Sequence, residues 1–200
     1  MDVIVCILFA YILGAVPFSF LIGKFCAKTD LRKTGSGNVG ATNLYRVCGF
    51  KYAAFGFLMD FAKGLIALYF VNTFFKPNEM AIIISGISVI LGHVFPVFLK
   101  FKGGKGVSTA AGVLFYLDYR IFLIVFAFFW LVYFMKKIIS LASVSAATLL
   151  FFLSIVFYKL GFTGFERAVF FGITAVLIVV FHRENIKRLI EKKEKRIDER

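Results

Sequence analysis

The chain has 200 residues, 60% of them hydrophobic and 18% aromatic, with 28 Phe and a mean hydropathy of +0.89. That is more apolar surface than one globular core of this size can bury, so lipid is the expected solvent. A formal net charge of +13 raises the question of nucleic acid, but the basic residues fall between apolar runs, which is the pattern of membrane topology, and no nucleic-acid partner is expected.

Apolar runs over 3–23, 53–71, 80–99, 107–117, 121–135, 141–158 and 168–181 predict an all-α, polytopic transmembrane bundle of about seven spans. No basic stretch precedes the first run, which therefore reads as a retained helix and not as a cleaved leader. The fourth and fifth runs are short. The alternative is one helix over 107–135 with Asp118 and Arg120 at its middle.

Charge bias separates the two readings. With seven spans and the N-terminus outside, nineteen Lys and Arg lie inside and four outside (Lys76, Arg120, Lys159, Arg167), with Lys63 within a span. Merging the short runs would place Lys136, Lys137 and the basic tail outside and bury a carboxylate and a guanidinium in mid-bilayer. The expected organisation is a single transmembrane domain over 1–200, its C-terminus cytoplasmic and 183–200 a basic cytoplasmic tail near anionic headgroups. Cys6, Cys26 and Cys48 lack ligand spacing and read as inert small residues.

The first inner loop packs Gly35, Gly37, Gly40, Ser36, Asn38, Thr42, Asn43 and Arg46 into the stretch 34–46. Glycines let a backbone turn with its N–H groups exposed, and these with the polar side chains suit a phosphate. The match to GxGxxG is weak, because that pattern belongs between a strand and a helix and here follows a membrane helix. The second inner loop runs from His93 to Thr109 and places Gly103, Gly104, Lys105 and Gly106 at the start of the fourth helix. Free N–H groups, the positive helix end and an ammonium suit an anion. It is not a Walker A loop, since Leu99 stands where the first glycine is required and Gly106 follows the lysine.

Ser140 and Ser143 open the sixth run, and the last run ends in His182-Arg-Glu-Asn-Ile-Lys-Arg-Leu189; the serines also suit helix caps, and His182 an interfacial anchor. Asp60 and Lys63 share one face of the second helix and read first as a structural ion pair. Together the four inner segments point to an anionic, phosphorylated ligand.

The stretches SGNVGATN with Arg46, GHVFPVFLKFKGGKGVST, SLAS and HRENIKRL, in that order, resemble the PlsY family of bacterial integral-membrane glycerol-3-phosphate acyltransferases; MDFAKG, with Asp60 and Lys63, is similar to a further segment of that family. The resemblance implies transfer of an acyl group from acyl phosphate to the 1-position of glycerol 3-phosphate, giving lysophosphatidate and inorganic phosphate at the start of phospholipid synthesis, without coenzyme A or acyl carrier protein. No cofactor is expected, no obligate protein partner is inferred, and no metal is suggested, since no carboxylate cluster faces the cytoplasm beside the glycine loops. It also implies a plasma-membrane protein whose active site faces the cytoplasm, served by an enzyme that forms acyl phosphate. Carried over by residue, it gives Lys105, Arg46, His182 and Ser143 as catalytic candidates. Ser36, Asn38, Gly40, Thr42, Asn43, His93, Gly103, Gly104, Gly106 and Asn185 become substrate-binding candidates, the 103–106 loop taking the acyl phosphate; Asp60, Lys63 and Ser140 are structural or unassigned. One departure is visible. Phe181 precedes His182 where the family commonly has Arg, and whether Arg183 substitutes stays open.

The residues agree with that chemistry. Neither His93 nor His182 has an Asp after four intervening residues, and neither a GxSxG elbow nor a Cys/His pair offers an acyl-enzyme. Acyl phosphate is already activated, so positioning and charge stabilisation would suffice for direct attack by the 1-hydroxyl in a ternary complex, its proton passing to the donor's phosphate or to His182. The rival from another class is a transporter or channel for a phosphorylated solute, but the phosphate-suited segments lie at the inner interface and no repeat is visible.

Overall fold

The computed structural model describes residues 3–197. Its helices, in chain order, are α1 (Val3–Ala15), α2 (Phe18–Phe25), α3 (Ala41–Cys48), α4 (Phe50–Phe70), α5 (Glu79–Val94), α6 (Val107–Leu117), α7 (Tyr119–Lys136), α8 (Ile139–Lys159), α9 (Phe165–Phe181) and α10 (Arg183–Ile190). Each apolar run is helical, the first broken at 16–17 and the third at 95–96. Among the described residues five helical stretches are long and apolar enough to cross a bilayer, or six if α9 and α10, bent by 60°, form one span. The 11 residues of α6 reach about 16 Å, roughly half a hydrocarbon core.

The split between the fourth and fifth runs is real. Asp118 adopts an extended backbone and caps α7, its carboxylate accepting from the Arg120 and Ile121 N–H groups at 3.0 and 3.4 Å. The same carboxylate takes the Arg120 guanidinium at 2.8 Å, so neither charge is left alone.

The chain divides into two compact units, Met1–Tyr116 and Leu117–Arg200. In the first, α1 breaks at Pro17, which has no N–H to continue it, and resumes as α2. Small residues then let helices touch backbone to backbone: a Cβ on Gly14 of α1 would strike the Val89 carbonyl of α5, and one on Gly92 of α5 the Tyr11 carbonyl. Gly64 of α4 and Gly112 of α6 make the same close approach to Thr109 and Phe61. In lipid, where apolar surface is not driven together, such approach is how helices gain contact.

In the second unit α7, α8 and α9 pack in sequence, α9 against α8. Arg120 and Arg167 hold the chain turns by donating to the Phe162 and Leu117 carbonyls at 3.0 and 2.9 Å.

Candidate active site

One face of α4 organises the first unit. Gly56, Asp60, Lys63, Gly64 and Ala67 are all buried along it, at the three- and four-residue spacing of a single helical stripe. Gly56 admits Leu44 of α3 and Ser19 of α2; one turn on, Asp60 meets Ser19 and His93; one more, Gly64 meets α6. Both glycine-rich loops are thus built over successive turns of the same helix.

The first loop hangs from a small core of Phe20, Ile22, Leu31, Val39 and Leu44. Asn43, 1% exposed, holds its shape: the amide nitrogen donates to the Leu31, Thr34 and Asn38 carbonyls at 3.0, 3.0 and 2.8 Å, and the amide oxygen accepts from Ser36 N–H at 2.8 Å. Gly35, at φ +61°, has no room for a Cβ beside that amide. Asn38 accepts from Gly40 N–H at 2.9 Å. The side chains of Asn43 and Asn38 therefore shape the loop, whereas the Ser36 side chain is exposed and Thr42 and Arg46 stand four residues apart on the half-buried face of α3. At the loop's start Asp30 is held at about 2 chiefly by hydrogen bonds from the Arg32 guanidinium, 2.7 Å away.

The second loop folds back on the end of α5. Gly103 and Gly104 N–H groups donate to the Val94 and His93 carbonyls at 3.0 and 3.1 Å, closing the segment 95–102 into a lobe. Gly106, at φ +82°, turns the chain into α6 against Ile90 and Val94. Lys105 is thereby set between a buried glycine and a helix start.

Beneath this loop lies a polar cluster inside the unit. Asp60 binds Lys63 at 2.9 Å and accepts from Ser19 Oγ at 2.6 Å; Lys63 Nζ also donates to the Val16 carbonyl at 2.8 Å, beside the Pro17 break. His93 Nδ1 lies 3.1 Å from Thr109 Oγ1 and 3.6 Å from Asp60 Oδ1. The Asp60–Lys63 ion pair follows from their spacing; the additional partners Ser19, His93 and Thr109 come from three other helices and carried no local signal.

In the second unit, His182 is 3% exposed at the bend between α9 and α10, and its Nδ1 donates to the Ile178 carbonyl at 2.8 Å. Ser143 donates to its own helix at Ile139, 2.9 Å. Ser140 and Asn185 both donate to Glu194 Oε1, at 2.8 and 2.6 Å, and Arg188 Nε to Oε2 at 2.6 Å. Burial pushes the Glu194 carboxyl up, but the Arg188, Asn185 and Ser140 hydrogen bonds outweigh it and hold it below its ordinary value. Arg183 is exposed and 3.8 Å from Glu184. Among the described residues no group of three or more His, Cys, Asp or Glu side chains gathers as a metal site.

The glycerol-3-phosphate acyltransferase family model matches residues 4–192. The glycerol-3-phosphate acyltransferase of Prochlorococcus marinus (strain MIT 9301) is 41% identical, over 96% of this chain and 97% of its own length. That of Aquifex aeolicus (strain VF5) is 38% identical, over 95% and 96%. Crystal structures of PlsY (YgiH), an integral membrane glycerol 3-phosphate acyltransferase, in its glycerol 3-phosphate and lysophosphatidic acid forms, superpose with TM-scores of 0.88 and 0.85 at 36% identity, each covering 97% of this chain and 94% of theirs. With the helix pattern, the two glycine loops and these matches agreeing over nearly the whole length, the chain belongs to the PlsY family of integral-membrane glycerol-3-phosphate acyltransferases.

Proposed function

We propose that this acyltransferase takes its acyl group from acyl phosphate and passes it directly to the 1-hydroxyl of glycerol 3-phosphate, releasing lysophosphatidate and inorganic phosphate. The observation that carries the reading is the 103–106 loop, a glycine cradle pinned to the end of α5 with Lys105 at the mouth of a helix. Such a site binds anions and stabilises developing charge, and contributes no nucleophile of its own. The Thr109 hydroxyl, 3.1 Å from His93 Nδ1, is fully buried and donates to the Asp60 carbonyl at 3.0 Å, so it is not poised as a nucleophile, which supports transfer without an acyl-enzyme.

Arg46, Ser36 and Thr42 at the first loop and Lys105 and Gly106 at the second are assigned to the two phosphate-bearing substrates; Gly40, Gly103 and Gly104, expected to offer free N–H groups, spend them on the Asn38 side chain and the Val94 and His93 carbonyls and so shape the loops. Ser143, His182 and Asn185 are assigned to the same reaction through the resemblance, Asn43 and Asn38 to the shape of the first loop. The protein is assigned to the bacterial plasma membrane with seven spans, the N-terminus outside and both glycine loops at the cytoplasmic face, where an enzyme forming acyl phosphate supplies the donor.

Initial rates with both substrates varied test the mechanism. Direct transfer predicts intersecting double-reciprocal lines and unchanged protein mass after incubation with palmitoyl phosphate alone. Parallel lines with a palmitoyl adduct on the protein would overturn it.

A further inference from the structure

An ion pair inside a membrane protein needs two residues, yet four polar side chains meet around Asp60. Ser19 and Lys63 fix its carboxylate, and His93 and Thr109 extend the cluster toward the second loop. Burying so many polar groups is costly, and apolar residues of similar volume would pack at lower cost, so the arrangement calls for a consequence elsewhere.

The hydrogen bonds define how the imidazole is held. The Thr109 hydroxyl has one proton, and it goes to the Asp60 carbonyl at 3.0 Å. His93 Nδ1, 3.1 Å from the same oxygen, must then be the donor, and Asp60 Oδ1 at 3.6 Å favours that proton's position. The ring is 9% exposed, and its other edge faces the loop: a Cβ on Gly104 would collide with Nε2. Gly103 is equally confined, between the His93 and Val94 carbonyls and the Pro96 ring.

We propose that His93 is a positioning residue for the 103–106 loop, its Nε2 edge the seat on which Gly104 rests and the buried Asp60, steadied by Lys63 and Ser19, the group that fixes this edge through Nδ1 and Thr109. Asp60 and Lys63 then act on the reaction through the imidazole, not merely by neutralising each other. Of the charged groups, Asp60 lies 3.6 Å from Nδ1 and is bound to Lys63 of α4, and Lys105 follows Gly104 in the loop. Displacing the loop moves Lys105 and the first N–H groups of α6 relative to a bound phosphate, and small displacements of positioning groups are catalytically expensive. The effect on rate rests on the loop being a phosphate site, as proposed above; the coupling of His93 to Gly104 does not.

The test is a double-mutant cycle on the full-length enzyme in detergent, with palmitoyl phosphate and glycerol 3-phosphate as substrates. Gly104→Ala lowers kcat/KM about 10- to 100-fold, with the KM for palmitoyl phosphate rising more than that for glycerol 3-phosphate. In a His93→Ala background the same substitution costs less than about 3-fold, because the ring it would strike is gone. Thr109→Ala, which loosens Nδ1 without touching the ion pair, reproduces part of the loss, and Thr109→Ser restores activity. Equal fold-losses for Gly104→Ala with and without the imidazole overturn the proposal, as does wild-type kcat/KM in His93→Ala. If wild type itself does not turn over palmitoyl phosphate, the donor assignment has failed instead. The cycle is then read from unfolding midpoints of the four proteins, where non-additive shifts support the coupling and additive shifts overturn it.

Discussion

Lys105 stands between two glycines at the start of α6, where backbone N–H groups and a positive helix end already favour an anion. Its ammonium adds a full charge at the point where the leaving phosphate gains one, so Lys105→Ala is expected to lower kcat by about 10²- to 10³-fold while leaving the detergent-solubilised protein monodisperse and its unfolding midpoint within a few degrees. Assay of kcat beside size-exclusion chromatography checks this; retained activity would remove the lysine from the chemistry. The two glycine loops, and the place of Lys105 between two glycines, could be read from residue types and spacing alone. The contact between His93 and Asp60 was not, since a sequence search for an acid near each histidine reaches only neighbours in the chain, while this acid comes from another helix. Asn43 was legible as a polar residue of the first loop, but its role in tying that loop together required the carbonyl positions.

At the level of elements, hydropathy located every long helix, because lipid imposes a continuous apolar run on anything that crosses it. The break at Pro17 was hidden inside the first run, and α3 lay hidden in a loop whose glycines and amides drew attention as ligands. The mixed-charge tail carried no pattern that marks Glu194. Its side chain, 3% exposed, gathers Ser140 from the start of α8 with Asn185 and Arg188 of α10, and Ile197 N–H donates to the Lys137 carbonyl at 2.9 Å nearby. Because these bonds hold the carboxyl below its ordinary value, the stability they give is present above that value and is lost as pH falls through the lowered one. The unfolding free energy is therefore expected to be flat from neutral pH down to about 5 and to fall below it, with Glu194→Gln showing a lower plateau, by about 1–3 kcal/mol, and a weaker acid dependence. Wild-type acid sensitivity in Glu194→Gln would place the titrating group elsewhere.

For the whole molecule, the proposed seven-span orientation predicts that the first glycine loop lies at the cytoplasm, and the three cysteines offer a direct check. Cys26 is exposed at the end of α2, Cys48 half-buried and Cys6 buried. In a Cys6→Ala/Cys48→Ala background, an impermeant maleimide is expected to label Cys26 in inside-out vesicles and not in intact cells; labelling of intact cells would reverse the orientation.

The central claim is the acyl donor, and the most direct test is phosphate release by the purified enzyme given palmitoyl phosphate with and without glycerol 3-phosphate, the lipid product identified by mass. The account predicts release that requires both substrates, matched mole for mole by 1-palmitoyl-glycerol 3-phosphate, with palmitoyl-coenzyme A and palmitoyl acyl carrier protein inert. Acylation of glycerol 3-phosphate from either thioester, with palmitoyl phosphate left intact, would contradict it.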